Sequence, residues 1–212
     1  MMDLEDQRAT HKATERLLMR KNILDKASAL LTEEGPHALS MRKLSERVGA
    51  STIVLYTYFK DKQDILNELY VEGFVRLQQD LEGVAPGDDA AAYVMELGRA
   101  YRRSAVANST YYQIMFSRCI PGFTPSKHSL EKSKTSFMVL RQGVQRCADA
   151  GMPLRGGAGR TAQVLWSTLH GVVSLELFGY VGNALAGDAL LEQAMQTIAA
   201  GMAKSASSPK AA

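Results

Sequence analysis

The run from Ser40 to Leu66 constrains this chain more than any other stretch of it. Ser40 can N-cap a first helix whose apolar residues, Met41, Leu44 and Val48, fall at helical spacing. Gly49 stands where that helix must stop, because glycine enters the left-handed conformation without a Cβ penalty. Ser51 can cap a second helix only two residues later. Leu55 and Phe59, four apart, anchor that helix to a core. Its other face is left with Thr52, Ile53, Tyr56 and Thr57. Helix, tight turn and short helix in this order form the layout of a helix-turn-helix reader of duplex DNA.

The pattern Gly49-x-Ser51-x3-Leu55-Tyr56-x2-Phe59-x2-Lys62-x3-Leu66 is preceded by a helix carrying Ile23, Leu24, Ala27 and Leu30. Over residues 15–70 it resembles the N-terminal domain of the tetracycline-repressor (TetR) family. The resemblance implies an all-α fold of about nine helices. A three-helix DNA-binding domain is expected first, then a helical bundle for ligand binding and dimerisation. It also implies a homodimer whose partners are a double-stranded DNA operator and an unknown small hydrophobic effector.

Composition narrows the remaining possibilities. With 212 residues and 46% hydrophobic content, the chain can bury one small and one larger core. No apolar run approaches the roughly 18 residues of a membrane span. The acidic start Met-Met-Asp-Leu-Glu-Asp is not a secretory signal, so a cytoplasmic location without membrane contact is expected. Cys119 and Cys147 lack metal or redox spacing, and His11, His37 and His128 are scattered, so no metal or cofactor is expected. Net charge is only +3, but residues 8–62 hold eleven Lys/Arg against six Asp/Glu, a net +5 that suits phosphate contact as well as a solvated face.

Periodicity and breakers organise the chain. Residues 1–13 read as a flexible arm, 14–67 as the DNA-binding domain, 68–204 as the ligand-binding and dimerisation domain, and 205–212 as a disordered tail. Helices are expected over 14–34, 41–48, 52–58 and 62–82. Further helices are expected from an Asp88 cap to 107, then over 108–116, 127–149, 158–182 and 187–203. The boundary is placed inside the 62–82 helix, near residue 68, because a connecting helix transmits motion better than a loop.

A recognition helix of about seven residues is roughly 10 Å long, and the major groove is about 12 Å wide, so its first turns can meet base edges. Those turns read Thr52-Ile53-Val54, with none of the Arg, Lys, Asn or Gln side chains that make bidentate base contacts. Ile53 departs from the family, where glycine or proline is common. Thymine methyls are the expected targets of Ile53 and Val54, with single hydrogen bonds from Thr52 or Thr57. Tyr56, Tyr58 and Lys62 are candidates for phosphate contact, and the resemblance implies the same role for them. Ser40 and Arg42 sit at the other helix's start, where Arg42 can reach phosphate or a base. Arg8, Lys12, Arg16, Arg20 and Lys21 can extend the contact into a minor groove or merely be solvated.

In the C-terminal part, Val164, Thr168, Gly171, Leu175, Phe178 and Gly182 recur at 4-3-4-3-4 spacing. Trp166, His170, Val173, Leu177 and Tyr180 form a second stripe offset by two, on the opposite face. A helix apolar on both sides needs cover on both sides. Thr168, Gly171, Leu175 and Phe178, with Leu191, Met195 and Ile198 of the last helix, are the expected dimer interface. Trp166-x3-His170-Gly171 also resembles the Trp-His-Gly motif of one C-terminal subclass of the family. Tyr101, Tyr112, Met115, Phe116, Phe137, Trp166 and His170 are the candidate ligand contacts, though such a stripe also suits plain core.

These readings converge on a homodimeric transcriptional repressor released from its operator by a small molecule. Activity as an enzyme is not expected, since no nucleophile or carboxylate stands at motif spacing near His170. The alternatives are a DNA-binding regulator without an effector, and an all-helical enzyme or lipophilic-ligand carrier.

Overall fold

Residues 4–35, 37–116 and 120–204 are described by a computed structural model. Cys119, the tail from 205 to 212 and the first three residues of the expected arm lie outside the described residues. The described residues form nine helices and no strands. They group into two compact units, Met1–Gly73 with Thr110–Ser129, and Phe74–Ser109 with Leu130–Ala212.

The first unit contains α1 (Leu4–Glu34), α2 (Met41–Val48), α3 (Thr52–Tyr58), the first half of α4 (Lys62–Glu82) and most of α6 (Ser109–Phe116). Its core is formed by Ile23, Ala27, Leu30, Leu44, Leu55 and Phe59, all at most 1% exposed, with Ile65, Leu66 and Leu69 of α4 equally buried. Local chemistry sets the element ends. The Ser40 hydroxyl accepts from the Lys43 amide at 3.2 Å, and the Ser51 hydroxyl from the Val54 amide at 3.3 Å. Between them Gly49 takes φ 73°, and its N–H donates to the Ser45 carbonyl at 3.0 Å. At α4 the Asp61 carboxylate accepts from the Asp64 amide at 2.9 Å, while the Asp64 carboxylate accepts from the Lys60 amide at 3.1 Å. This is a reciprocal cap built from two aspartates.

One expectation changes here. Residues 4–13, read as a flexible arm, are helical, because nothing between Leu4 and Glu34 breaks a helix: the segment contains neither glycine nor proline.

The second unit holds the rest of α4, α5 (Ala90–Ala107), α7 (Lys127–Asp149) from Leu130 on, α8 (Gly157–Leu177) and α9 (Ala184–Lys204). Leu97 of α5, Val144 of α7, Ala162, Leu169 and Val173 of α8 and Leu191 of α9 are fully enclosed there, each at most 1% exposed. The cap of α5 is Asp89 rather than Asp88; its carboxylate accepts from the Ala91 and Ala92 amides at 2.9 and 3.0 Å. The helix expected over 158–182 ends at Leu177. Gly179 turns left-handed, with φ 80°, and the Tyr180 amide reaches back to the Leu175 carbonyl at 2.8 Å. That six-to-one bond is the Schellman stop, so Tyr180 and Gly182 leave the helical stripes assigned to them.

Candidate nucleic-acid interface and sensor cavities

The short helix α3 offers an uncovered apolar face. Leu55 is fully buried, whereas Ile53 is 76% exposed, Tyr56 is 53% exposed, and Val54 and Thr57 are also exposed. Thr52 is half-buried beside them. The Thr57 hydroxyl donates to the Val54 carbonyl at 2.7 Å, so it meets a base as an acceptor only. A helix of this length cannot hold itself in water, and its orientation depends on what grips its ends. Two arginines of α1 do so. Arg20 donates to the Tyr58 carbonyl at 2.8 Å, stacks 4.3 Å from the Phe59 ring centroid and pairs with Glu68 at 2.8 Å. Arg16 donates to the Thr57 carbonyl at 3.3 Å and lies 5.6 Å from the Tyr58 ring. They satisfy the carbonyls that a helix C-terminus leaves open, and their charge complements its dipole. Sequence reasoning placed both in a possible minor-groove arm; the structure engages them within their own unit.

The other basic residues divide sharply. Lys43 pairs with Glu34, and Arg47 with Glu33 at 2.7 Å and Glu34 at 2.9 Å, tying α2 to the end of α1. Lys43 first, then Arg47, hold the Glu34 carboxyl below its usual range. Arg42 is exposed and loosely paired with Glu46 at 3.4 Å. Ser40 is exposed, with its hydroxyl engaged in the cap. Among the described residues no salt bridge engages Lys60 or half-buried Lys62 at the α4 start. The Asp61 and Asp64 carboxylates at the same helix start limit how closely a phosphate can follow.

In the second unit, Phe137 meets Trp166 edge-on at 6.1 Å, and His170 stacks on Trp166 at 6.0 Å. Burial lowers the His170 pKa from its ordinary 6.5, favouring the neutral ring. Tyr101, Phe137 and Trp166 border a cleft of only about 10 Å³, the space of a single water. Tyr112, Met115 and Phe116, expected beside them, belong to the first unit, where Tyr112 and Phe116 pack ring to ring at 4.9 Å. The expected ligand cluster is therefore divided between two units; of its members in the second, Tyr101 is buried, while Phe137, Trp166 and His170 are half-buried.

A wider cavity of about 170 Å³ opens elsewhere in this unit. Val94, Val144, Leu165 and Met195 form its floor, and Met152, Pro153 and Leu154 of the α7–α8 turn its rim. Cys147 also borders it, with burial pushing the thiol pKa up. None of the seven expected ligand contacts lines it. The sequence signal that could have found it is the turn Gly151-Met-Pro153-Leu, whose apolar residues are unusual for an exposed loop.

The expected dimer residues also separate. Val164, Leu175 and Phe178 are 47%, 47% and 56% exposed, and among the described residues no neighbour outside its own helix turn fills the space beside Gly171. Thr168 is half-buried on the same face, where its hydroxyl donates to the Val164 carbonyl at 3.0 Å. Leu191 and Met195, however, are 1% and 2% exposed, so they are filled by their own chain and offer nothing to a second copy. Ile198 borders the 170 Å³ cavity. The repeat of α9 did not distinguish its inner face from its outer one.

Two family profiles match the chain: "Bacterial regulatory proteins, tetR family" over residues 23–69, and "Tetracyclin repressor-like, C-terminal domain" over residues 94–198. The chain belongs to the TetR family. A curated TetR relative, the tetracycline repressor protein class D of Escherichia coli, is 31% identical over 87 residues, 41% of this chain and 39% of that protein. The chain thus matches about two-fifths of the length of such relatives. Among solved structures, a protein of unknown function from Rhodococcus sp. RHA1 is 27% identical with a TM-score of 0.75, covering 86% of this chain and 94% of that one. The transcriptional regulator FadR of Bacillus subtilis, in complex with stearoyl-CoA, shares the fold at 18% identity and a TM-score of 0.66, covering 85% and 98%. In this TetR chain, the profile over 23–69 contains the two caps, α3 and Lys62. The profile over 94–198 contains Trp166, His170 and Gly171. Among the described residues no three His, Cys, Asp or Glu side chains converge on a possible metal position, and no helix is long and apolar enough to cross a membrane.

Proposed function

We propose that this chain is a homodimeric, operator-binding repressor of transcription, acting in the cytoplasm and released from DNA by a small hydrophobic molecule. The observation that carries the reading is the apolar, unpartnered face of α3, with Ile53 76% exposed on a helix pinned by Arg16 and Arg20. Such a face costs solubility unless it has a function, and the major groove of T-rich duplex DNA presents methyl groups to meet it. Lys62, Tyr56 and Tyr58 contribute phosphate contacts, and Arg42 reaches phosphate or a base from the start of α2. The exposed Val164, Leu175 and Phe178, with open space beside half-buried Gly171, support a second copy packing along α8, which would set two readers on a near-palindromic site. Helix α4 runs from Lys62 into the second unit and serves as the lever between operator and sensor. The run Trp166-x3-His170-Gly171 supports a Trp-His-Gly type of C-terminal domain.

The effector part draws support from the relatives, one named a tetracycline repressor and another solved with stearoyl-CoA. A second reading, a regulator without an effector, is favoured by the closed cleft among Tyr101, Phe137 and Trp166. Selection of duplexes from random DNA by the purified chain tests the core of the reading. Enrichment of a palindrome with thymine in each half-site is expected. Failure to enrich any sequence overturns DNA regulation, and half-sites without thymine overturn the apolar readout.

A further inference from the structure

We infer that the 170 Å³ cavity bordered by α5, α7, α8 and α9 is a binding site for a compact, uncharged, largely apolar molecule bearing one hydroxyl, on the scale of a substituted benzene. The inference deepens the sensor part of the proposed function. It rests on that reading only for its regulatory consequence, not for binding itself.

Size is the first argument. Cavities of about 150 Å³ lined by apolar side chains stay dry and take up benzene. A long fatty acid, and far more so an acyl-CoA, exceeds this space, which separates the site from the ligand of the solved FadR.

Chemistry is the second argument. Among the described residues no Asp, Glu, Lys, Arg or His lines the cavity. A carboxylate or ammonium group would therefore be desolvated without a counter-charge, a cost far greater than the apolar contacts return. The Cys147 thiol, 4% exposed and pushed up in pKa by its burial, remains neutral and adds no charge. Met95, Met152 and Met195 supply flexible, polarisable walls that adapt to ring or branched-chain shapes.

The polar handle is Thr161. It is 5% exposed, lines the cavity and makes no side-chain hydrogen bond among the described residues. No side-chain oxygen among the described residues is both sealed from solvent and unpartnered, so the Thr161 hydroxyl keeps accessible surface, which the residue's place on the wall gives to the cavity. A ligand hydroxyl can complete that group, which fixes one end of an otherwise greasy guest. Entry is over Met152 and Pro153, exposed residues of the α7–α8 turn.

Isothermal titration of the full chain without DNA tests the site, using p-cresol, toluene, benzoate and palmitate as probes. Binding of p-cresol and toluene is expected, with benzoate and palmitate silent. Thr161→Val keeps the side-chain shape and should weaken p-cresol about fivefold while leaving toluene unchanged. Ala91→Phe, at the half-exposed cavity border, should abolish binding of both while the chain stays folded by circular dichroism. The inference is overturned if neither neutral probe binds, if benzoate or palmitate binds as well as p-cresol, or if folded Ala91→Phe binds unchanged. Equal losses of p-cresol and toluene in Thr161→Val overturn the assigned hydroxyl. A separate measurement of DNA affinity with p-cresol present keeps the two readings distinct. Bound p-cresol that leaves operator affinity intact removes this ligand class as effector, and the site stands.

Discussion

Arg102 grips Glu176 with two parallel hydrogen bonds, Nε to Oε2 at 2.7 Å and Nη2 to Oε1 at 2.6 Å, while both side chains are at most 10% exposed. The same guanidinium bonds Asp188 and donates to the Ala184 carbonyl at 2.8 Å, so one side chain of α5 joins the end of α8 to the start of α9. Glu176 first, with Asp188 adding to it, raises the Arg102 pKa. The planar fork matches the carboxylate in a way lysine cannot.

Removing one partner from such a pair leaves a buried charge. Glu176→Leu or Arg102→Met should each cost about 3 kcal/mol in urea denaturation, while the two changes together should cost less than either alone. Additive losses in the cycle would mean that the pair contributes no coupling.

Gly187 of α9 lies where a Cβ would come within 2.5 Å of the Glu176 carboxylate. Helix propensity alone favours Gly→Ala by about 1 kcal/mol. Here Gly187→Ala should destabilise, because the carboxylate is fixed by Arg102 and cannot move aside. A raised melting temperature would contradict the packing.

The caps around the turn can be weighed one at a time. Ser40→Ala should cost about 1 kcal/mol. Gly49→Ala should cost a similar ~1 kcal/mol, since φ 73° strains an alanine while the space beside it is open. Both are read by denaturation of the free chain, and neither should change which DNA sequence is selected.

Protonation separates two pH windows. The His170 pKa is lowered by burial, so the unfolded chain binds a proton more readily than the folded one. Stability should then be complete above pH 6.5 and fall as pH drops below that value, and His170→Gln should flatten the decline. Glu96 and Glu192 are lowered, chiefly by hydrogen bonds from Arg103 and from Arg99 respectively. Their contribution is present above their ordinary 4.5 and is lost only as pH falls below it. Urea midpoints between pH 8 and 3 for the two chains check both windows.

On DNA, Lys62→Ala should weaken all sequences alike and reduce the salt slope by about 1, as expected for one lost phosphate contact. Ile53→Ala should instead cost about tenfold on the selected site and relax the preference for thymine. Equal effects on specific and random duplexes for both variants would remove Ile53 from base recognition.

The boundaries of α2, α3, α4 and α7 were readable from the chain because local groups set them. Ser40, Gly49 and Ser51 act within four residues of themselves, through bonds to their own backbone. Gly179 is an equally local stop, but the apolar stripe that continues beyond it masks the signal. Periodicity could not say which side of α9 faces inward, since Leu191, Met195 and Ile198 carry the same hydrophobicity whether a neighbour or a void lies beside them. Arg16 and Arg20 read as free cations until folding brought the α3 carbonyls to them across some forty positions of sequence. Sequence by itself determined helices, turns and family, because these rest on near neighbours. Only the tertiary structure decided which apolar residues pack, which enclose a cavity and which charges are engaged, because those depend on groups far apart along the chain.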